Sequence, residues 1–130
     1  MQIAITQADL MMGKLVPKGW YQCKCLKFES KTSAAGDSTN FVPHLQITEG
    51  PFMGKLVKKY YNTKAPGNFV ELMKAVGEST SPGSVFDSDI IAAKMEGSTF
   101  NVLISQDTYE GRLVNSVESI LGGTETPPVV

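Results

Sequence analysis

Four consecutive residues, Lys58-Lys59-Tyr60-Tyr61, set two ammonium groups beside two phenol rings. On an extended strand side chains alternate between faces, so Lys58 and Tyr60 share one face and Lys59 and Tyr61 the other. Whichever face looks outward presents a cation next to a flat ring. Cations track phosphates and rings stack on bases, which is the combination that holds an unpaired nucleic-acid strand. The same residues would also serve a plainer purpose, one ring completing a core while the lysines solubilise an exposed strand. Further candidates of the same two kinds surround them. Trp20 and Lys24 share a phase of an earlier segment, Lys27 and Lys31 follow it, His44 is the single histidine, Lys55 and Lys64 flank the lysine–tyrosine run, and Tyr109 and Arg112 stand at a later turn.

Other chemistries lack their parts. With one histidine, no Gly-rich phosphate loop after a strand, no repeated carboxylate pair and no Ser-His-Asp arrangement, general acid–base and nucleophilic catalysis have no credible residues, and no enzyme is expected. Cys23 and Cys25 are too close in sequence for an ordinary structural disulfide and are expected as reduced thiols in a core. His44 is the only other ligand of the Cys or His kind, short of the four that a structural zinc takes, so neither metal nor cofactor is expected. Asp87 and Asp89 read as a helix start rather than a metal pair.

These residues must be positioned by a mostly β framework. From Trp20 to Lys31 the sequence alternates, with Tyr21, Cys23 and Cys25 on one face and Gln22 and Lys24 on the other; the phase then slips at Leu26 and Phe28, which predicts a bulge or sharp coil near Lys24 to Leu26. Thr32 to Ser38 is a loop by composition. A second strand is expected over Asn40 to Thr48, with Phe41, Leu45 and Ile47 inward, His44 and Gln46 outward, and Pro43 marking an edge or bulge. A turn over residues 49–54 leads into a third strand from Lys55 to Thr63. Asn68 then starts a helix with Phe69, Leu72, Met73 and Val76 on one face, ended by Gly77, and Asp87 caps a shorter one through Ile90, Ile91 and Met95. Two more strands, Thr99 to Ser105 and Arg112 to Ile120, flank a hairpin loop over residues 106–111. The first eighteen residues are weakly patterned, and residues 121–130 read as a short disordered tail.

The chain has 130 residues, 42% of them hydrophobic and 19% charged, the balance of a globular protein that buries its own core, so residues 1–120 are expected to form one domain. No apolar run is long enough to span a membrane and the N-terminus lacks the pattern of a signal peptide, from which a soluble, cytoplasmic protein is expected. The formal net charge of -1 speaks against a polyanionic partner, but it is unevenly distributed. Residues 1–64 carry nine lysines against four acids, a balance of +5, and the remainder carries three cations against nine acids, a balance of -6. Such segregation can form a positive face on a mildly acidic protein.

Three strands, a helix, then two strands is the order of the OB-fold, a five-stranded Greek-key barrel with its helix between the third and fourth strands. The sequence resembles small phage proteins of this type that bind single-stranded DNA. The likeness lies in Lys18-Gly19-Trp20-Tyr21, the loop Lys31 to Gly36, the turn Glu49-Gly50-Pro51-Phe52-Met53-Gly54-Lys55, the helix end Leu72 to Gly77, and Tyr109-Glu110-Gly111-Arg112 with Asn115, covering residues 18–118. The resemblance implies non-catalytic, largely sequence-independent binding of single-stranded DNA in phage replication, recombination or repair, in the host cytoplasm, with phage replication or recombination proteins as further partners and a homodimer as a possible state. It departs in two respects: the tail is not acidic and aromatic-ended, and the low overall charge fits weak or cooperative binding better than tight binding by one protomer. The rival expectation is a protein-binding or structural β-barrel, docking onto a virion or a replication partner.

Overall fold

The computed structural model describes residues 1–128. Its spine is β1 (Gly19–Thr32), long enough to pair with two neighbours: β2 (Thr39–Ile47) along Cys23 to Thr32 and β5 (Thr99–Tyr109) along Gly19 to Lys24. The expected irregularity is present, since Cys25 pairs with Leu45 and Lys27 with His44, leaving Leu26 as the extra residue. This bulge keeps Cys23 and Cys25 buried before it and turns Phe28 back onto the core after it, where Phe28 stacks on Phe41 at 6.0 Å.

All six strands form one antiparallel sheet in the order β3-β2-β1-β5-β6, with β4 also on β2. β5 returns through a helical connection to lie beside β1, next to the β1-β2-β3 meander, which is the Greek-key order. The connection holds a 3-10 turn (Pro66–Asn68), α2 (Phe69–Ala75) and α3 (Ser88–Met95). The side chain of Asp87 accepts from the amides of Asp89 and Ile90, so Asp87 caps α3 as its type suggests. Asn68 precedes α2 without making a side-chain cap. Phe69, Leu72 and Met73 of α2 and Ile91 and Met95 of α3 fill the concave side of the sheet together with Leu45, Tyr61 and Phe100.

Four expectations change. The third strand is interrupted: β3 (Leu56–Lys58) and β4 (Tyr61–Asn62) keep one register on β2, and the break falls opposite Pro43. Pro43 is therefore not on an edge but fully buried, its missing N–H accommodated where the ladder already lapses. The last hairpin is longer than its composition suggests, since β5 runs to Tyr109 and β6 (Arg112–Gly122) begins at Arg112. Only Glu110 and Gly111 turn, at φ 50° and 77°, the paired positive values of a type I′ turn. The first eighteen residues are not featureless. They contain α1 (Gln7–Met11), closed by a Thr6/Asp9 capping box, and Val16, which is fully buried and held by the Asn115 side chain at both its N–H and its carbonyl. Residues 121 and 122 complete β6, and the Asn101 amide donates to the Glu125 carbonyl at 2.8 Å; Val129 and Val130 lie outside the described residues.

The two edges of the sheet, β3 and β6, touch but share no ladder among the described residues. Side chains span the seam instead. Glu71 of α2 accepts from the Ile120 amide, the Tyr61 hydroxyl and the Lys59 ammonium, and Lys59 also donates to the Glu118 carbonyl. At the other end Val16 plugs the gap.

Candidate functional site

The strand registers sort the convex face of β1, β2 and β3–β4 into cross-strand rows. Lys24, Gln46 and Leu56 form one; Lys27, His44 and Lys58 the next; Glu29 and Val42 lead to Tyr60; Lys31, Asn40 and Asn62 make the last. The bulge is what permits this, because it moves Lys27, Glu29 and Lys31 into the outward phase that Lys24 held. Lys24, Lys27, Lys31, His44, Lys58 and Tyr60 are thus assembled on one surface from three strands.

Tyr60 is the open ring of this surface, 48% exposed. The Lys31 and Lys58 ammonium nitrogens stand 5.1 and 5.4 Å from its centroid. Contact with Lys58, and then the charge of Lys31, holds its phenol below the usual tyrosine range. An acid lies among the cations: Glu29 reaches His44 Nε2 at 3.2 Å and the Lys27 and Lys31 ammonium groups at 3.8 Å each. The His44 contact leads in holding the Glu29 carboxyl below its ordinary value, with the lysines adding to it. Beside this cluster lies a mainly apolar groove of about 450 Å³, lined by Leu26, Leu45, Leu56 and Val57 with Lys27, His44 and Lys58. Two cations beside an apolar slot and an open ring can bind a polyanion whose planar groups are unpaired.

The remaining candidates lie elsewhere. Tyr61 is fully buried, its ring against Phe69 and its hydroxyl on Glu71, and burial followed by the Glu71 charge drives its phenol far above the usual range. Lys59 is spent on Glu71 at 2.8 Å and on the Glu118 carbonyl. Both are therefore corrected from binding residues to structural ones. Lys55 donates to the Lys14 carbonyl, and its partial burial lowers its pKa. Lys64 pairs with Asp37 of the 33–38 loop, at the margin of the face. Trp20 sits farther along the convex side of β1, opposite Leu103 of β5; it is half-buried, and its indole N–H has no partner. Tyr109 and Arg112 close the long hairpin as an exposed pair, with Arg112 lining a second groove that shares Leu56 with the first.

Glu29, Leu26 and Leu56 are members of the surface that residue-type reasoning passed over. Glu29 was detectable, since it shares the i, i+2 phase of Lys27 and Lys31. Among the described residues no three His, Cys, Asp or Glu side chains converge as a metal-holding group, and no helix is long and apolar enough to cross a membrane. No protein-family model matches the chain, and no curated protein is similar enough to count as a relative.

Proposed function

We propose that this protein binds single-stranded DNA, without catalysis and largely without sequence preference, across the convex face of β1, β2 and β3. The observation that carries the reading is the exposed Tyr60 ring set between Lys31 and Lys58, beside the groove of Leu26 and Leu56. Rings of this kind stack on any base, and lysines placed around them meet the flanking phosphates. The Greek-key strand order and the helical connection before β5 support an OB-type barrel, a fold that uses the face of its second and third strands and the loops beside it for oligonucleotides. The 33–38 loop and the Tyr109–Arg112 turn are the corresponding loops. Glu29 inside the cation cluster tempers the positive field, which fits modest affinity per protomer and favours the single strand over the more densely charged duplex. The setting that the resemblance implies is phage replication, recombination or repair in the host cytoplasm.

Fluorescence anisotropy of labelled oligothymidine, compared with duplex of equal length over a salt series, tests this. Single-strand binding with a log–log salt slope of about -2 is expected if Lys27, Lys31 and Lys58 each meet one phosphate, at about -0.7 per contact. Absence of binding at low salt, or equal binding of the duplex, defeats the reading and leaves a protein-docking module in its place.

A further inference from the structure

The bulge in β1 does more than shift the phase of the lysines. It leaves Leu26 without a partner on β2, standing 45% exposed. Across β2, two strand spacings of roughly 5 Å each away, Leu56 of β3 is 51% exposed and lines the other side of the same groove. Leu45 and Val57, which belong to the core, close the floor. Neither exposed leucine is part of that core. A bulge accepts residues of many types, and an edge strand is ordinarily better served by a charged one. Two bulky apolar side chains held apart over an apolar floor form a slot that a flat ring can enter edge-on.

The rim of the slot has a definite hydrogen-bonding sense. Lys27 and Lys58 stand on it, and an ammonium group donates but cannot accept. Glu29, the carboxylate that contacts Lys27, is not one of the walls and is shared among His44, Lys27 and Lys31. Lys58 serves two places at once, because its ammonium nitrogen lies 5.4 Å from the Tyr60 centroid while its side chain lines the slot. A strand with one base on Tyr60 can therefore place a neighbouring base in the slot, with Lys58 beside the phosphate between them.

Bases differ in what they bring to such a place. Thymine carries a carbonyl acceptor and a 5-methyl group where cytosine and adenine carry an amino donor, and guanine offers acceptors without a methyl group. An amino group would meet donors where it needs an acceptor, which is costly once it is desolvated. A methyl group gains from the leucine walls. Given the single-strand reading of the convex face, on which this rests, we infer that the Leu26–Leu56 slot is a base-reading subsite that takes one thymine, its methyl group inward and its carbonyl edge toward Lys27 and Lys58. Tyr60 stacks on the neighbouring base whatever its type. One base read among several stacked keeps binding largely, but not wholly, indifferent to sequence.

Anisotropy competition at one low salt concentration, with oligothymidine, oligodeoxyuridine and oligodeoxycytidine of equal length, tests the subsite. One buried methyl group should make oligothymidine bind about fourfold more tightly than oligodeoxyuridine. The unmatched amino group should set oligodeoxycytidine about tenfold below oligothymidine. Leu26→Ala and Leu56→Ala, both at exposed positions and checked for folding by far-ultraviolet circular dichroism, should each lower the thymidine-to-deoxyuridine ratio toward one. Tyr60→Ala should weaken all three strands by the same factor and keep the ratio. Equal binding of oligothymidine and oligodeoxyuridine by the wild type overturns the inference and leaves the single-strand reading standing. So does a ratio that survives both leucine substitutions, since the methyl group is then read elsewhere. Failure of every strand to bind removes the single-strand reading, and the subsite with it.

Discussion

Lys58 and Tyr60 are repeated one position along as Lys59 and Tyr61, and the two pairs meet opposite environments. Lys58 flanks an open Tyr60 ring on the convex face, where a cation–π contact contributes about 0.5–1 kcal/mol and both groups stay available to a ligand. Lys59 and Tyr61 turn inward to Glu71, and their charge and hydroxyl join α2 to β4 and β6. The difference teaches that residue type sets what a side chain can do, while a helix ten residues later decides which copy does it. Glu71 supplies the acceptor that makes the inner face tolerable for a lysine, because even a partly buried charge needs a partner.

The comparison can be broken most severely at Tyr61. Tyr61→Ala removes a fully buried ring and should destabilise the fold by about 3–5 kcal/mol in urea denaturation, whereas Tyr60→Ala should shift stability by no more than about 0.5 kcal/mol. Equal losses for the two would sink the assignment of inner and outer rings. Next, Glu71→Ala takes the acceptor from the Ile120 amide and the Tyr61 hydroxyl and one of two acceptors from the Lys59 ammonium, and should lose roughly 2–3 kcal/mol, with Glu71→Gln losing less because it still accepts from the amide. In DNA binding the order reverses: Tyr60→Ala should weaken oligothymidine binding by about 1–3 kcal/mol, while Tyr61→Phe leaves it unchanged. Lys58→Ala should act more gently, lowering the magnitude of the salt slope by about 0.7, and Lys59→Ala should leave the slope where it was.

A smaller signature lies at alkaline pH. The Tyr61 phenol is raised in the folded protein by burial and by the Glu71 charge. Its contribution to stability is therefore complete below the unfolded tyrosine value of about 10 and is lost as pH rises beyond it. The buried thiols Cys23 and Cys25, pushed up to about 12 and about 11, act in the same sense from the unfolded cysteine value upward. Denaturation of Tyr61→Phe against wild type isolates the phenol: the variant should show the shallower loss above pH 10. In ultraviolet titration Tyr60 should ionise ahead of Tyr61.

Much of this arrangement was legible in the order of residue types. The phase slip after Cys25 located the bulge, and Asp87 announced the start of α3, because both signals are local to a few residues. Alternation required Tyr60 and Tyr61 to point to opposite faces but could not choose between them. That choice rests on Phe69 and Glu71, contacts made across the fold. Pro43 signalled an irregularity, yet the break appeared in its neighbour, opposite it, rather than at an edge. The hairpin was shortened in prediction because Gln106, Asp107 and Thr108 are polar, and a protruding two-stranded ribbon needs no apolar face to continue its ladder. Val16 carried no periodic signal, since one residue plugging a seam belongs to no repeating face.

The Glu71 carboxylate has a consequence for how motion in this molecule can be observed. The Ile120 amide is protected from solvent by a side chain on α2 rather than by a neighbouring strand. Its exchange with deuterium should therefore follow the lifting of α2 and the parting of the seam, while the amides between β1 and β2 follow unfolding of the sheet itself. One backbone proton thus acts as a gauge, separating the parting of that seam from the melting of the sheet.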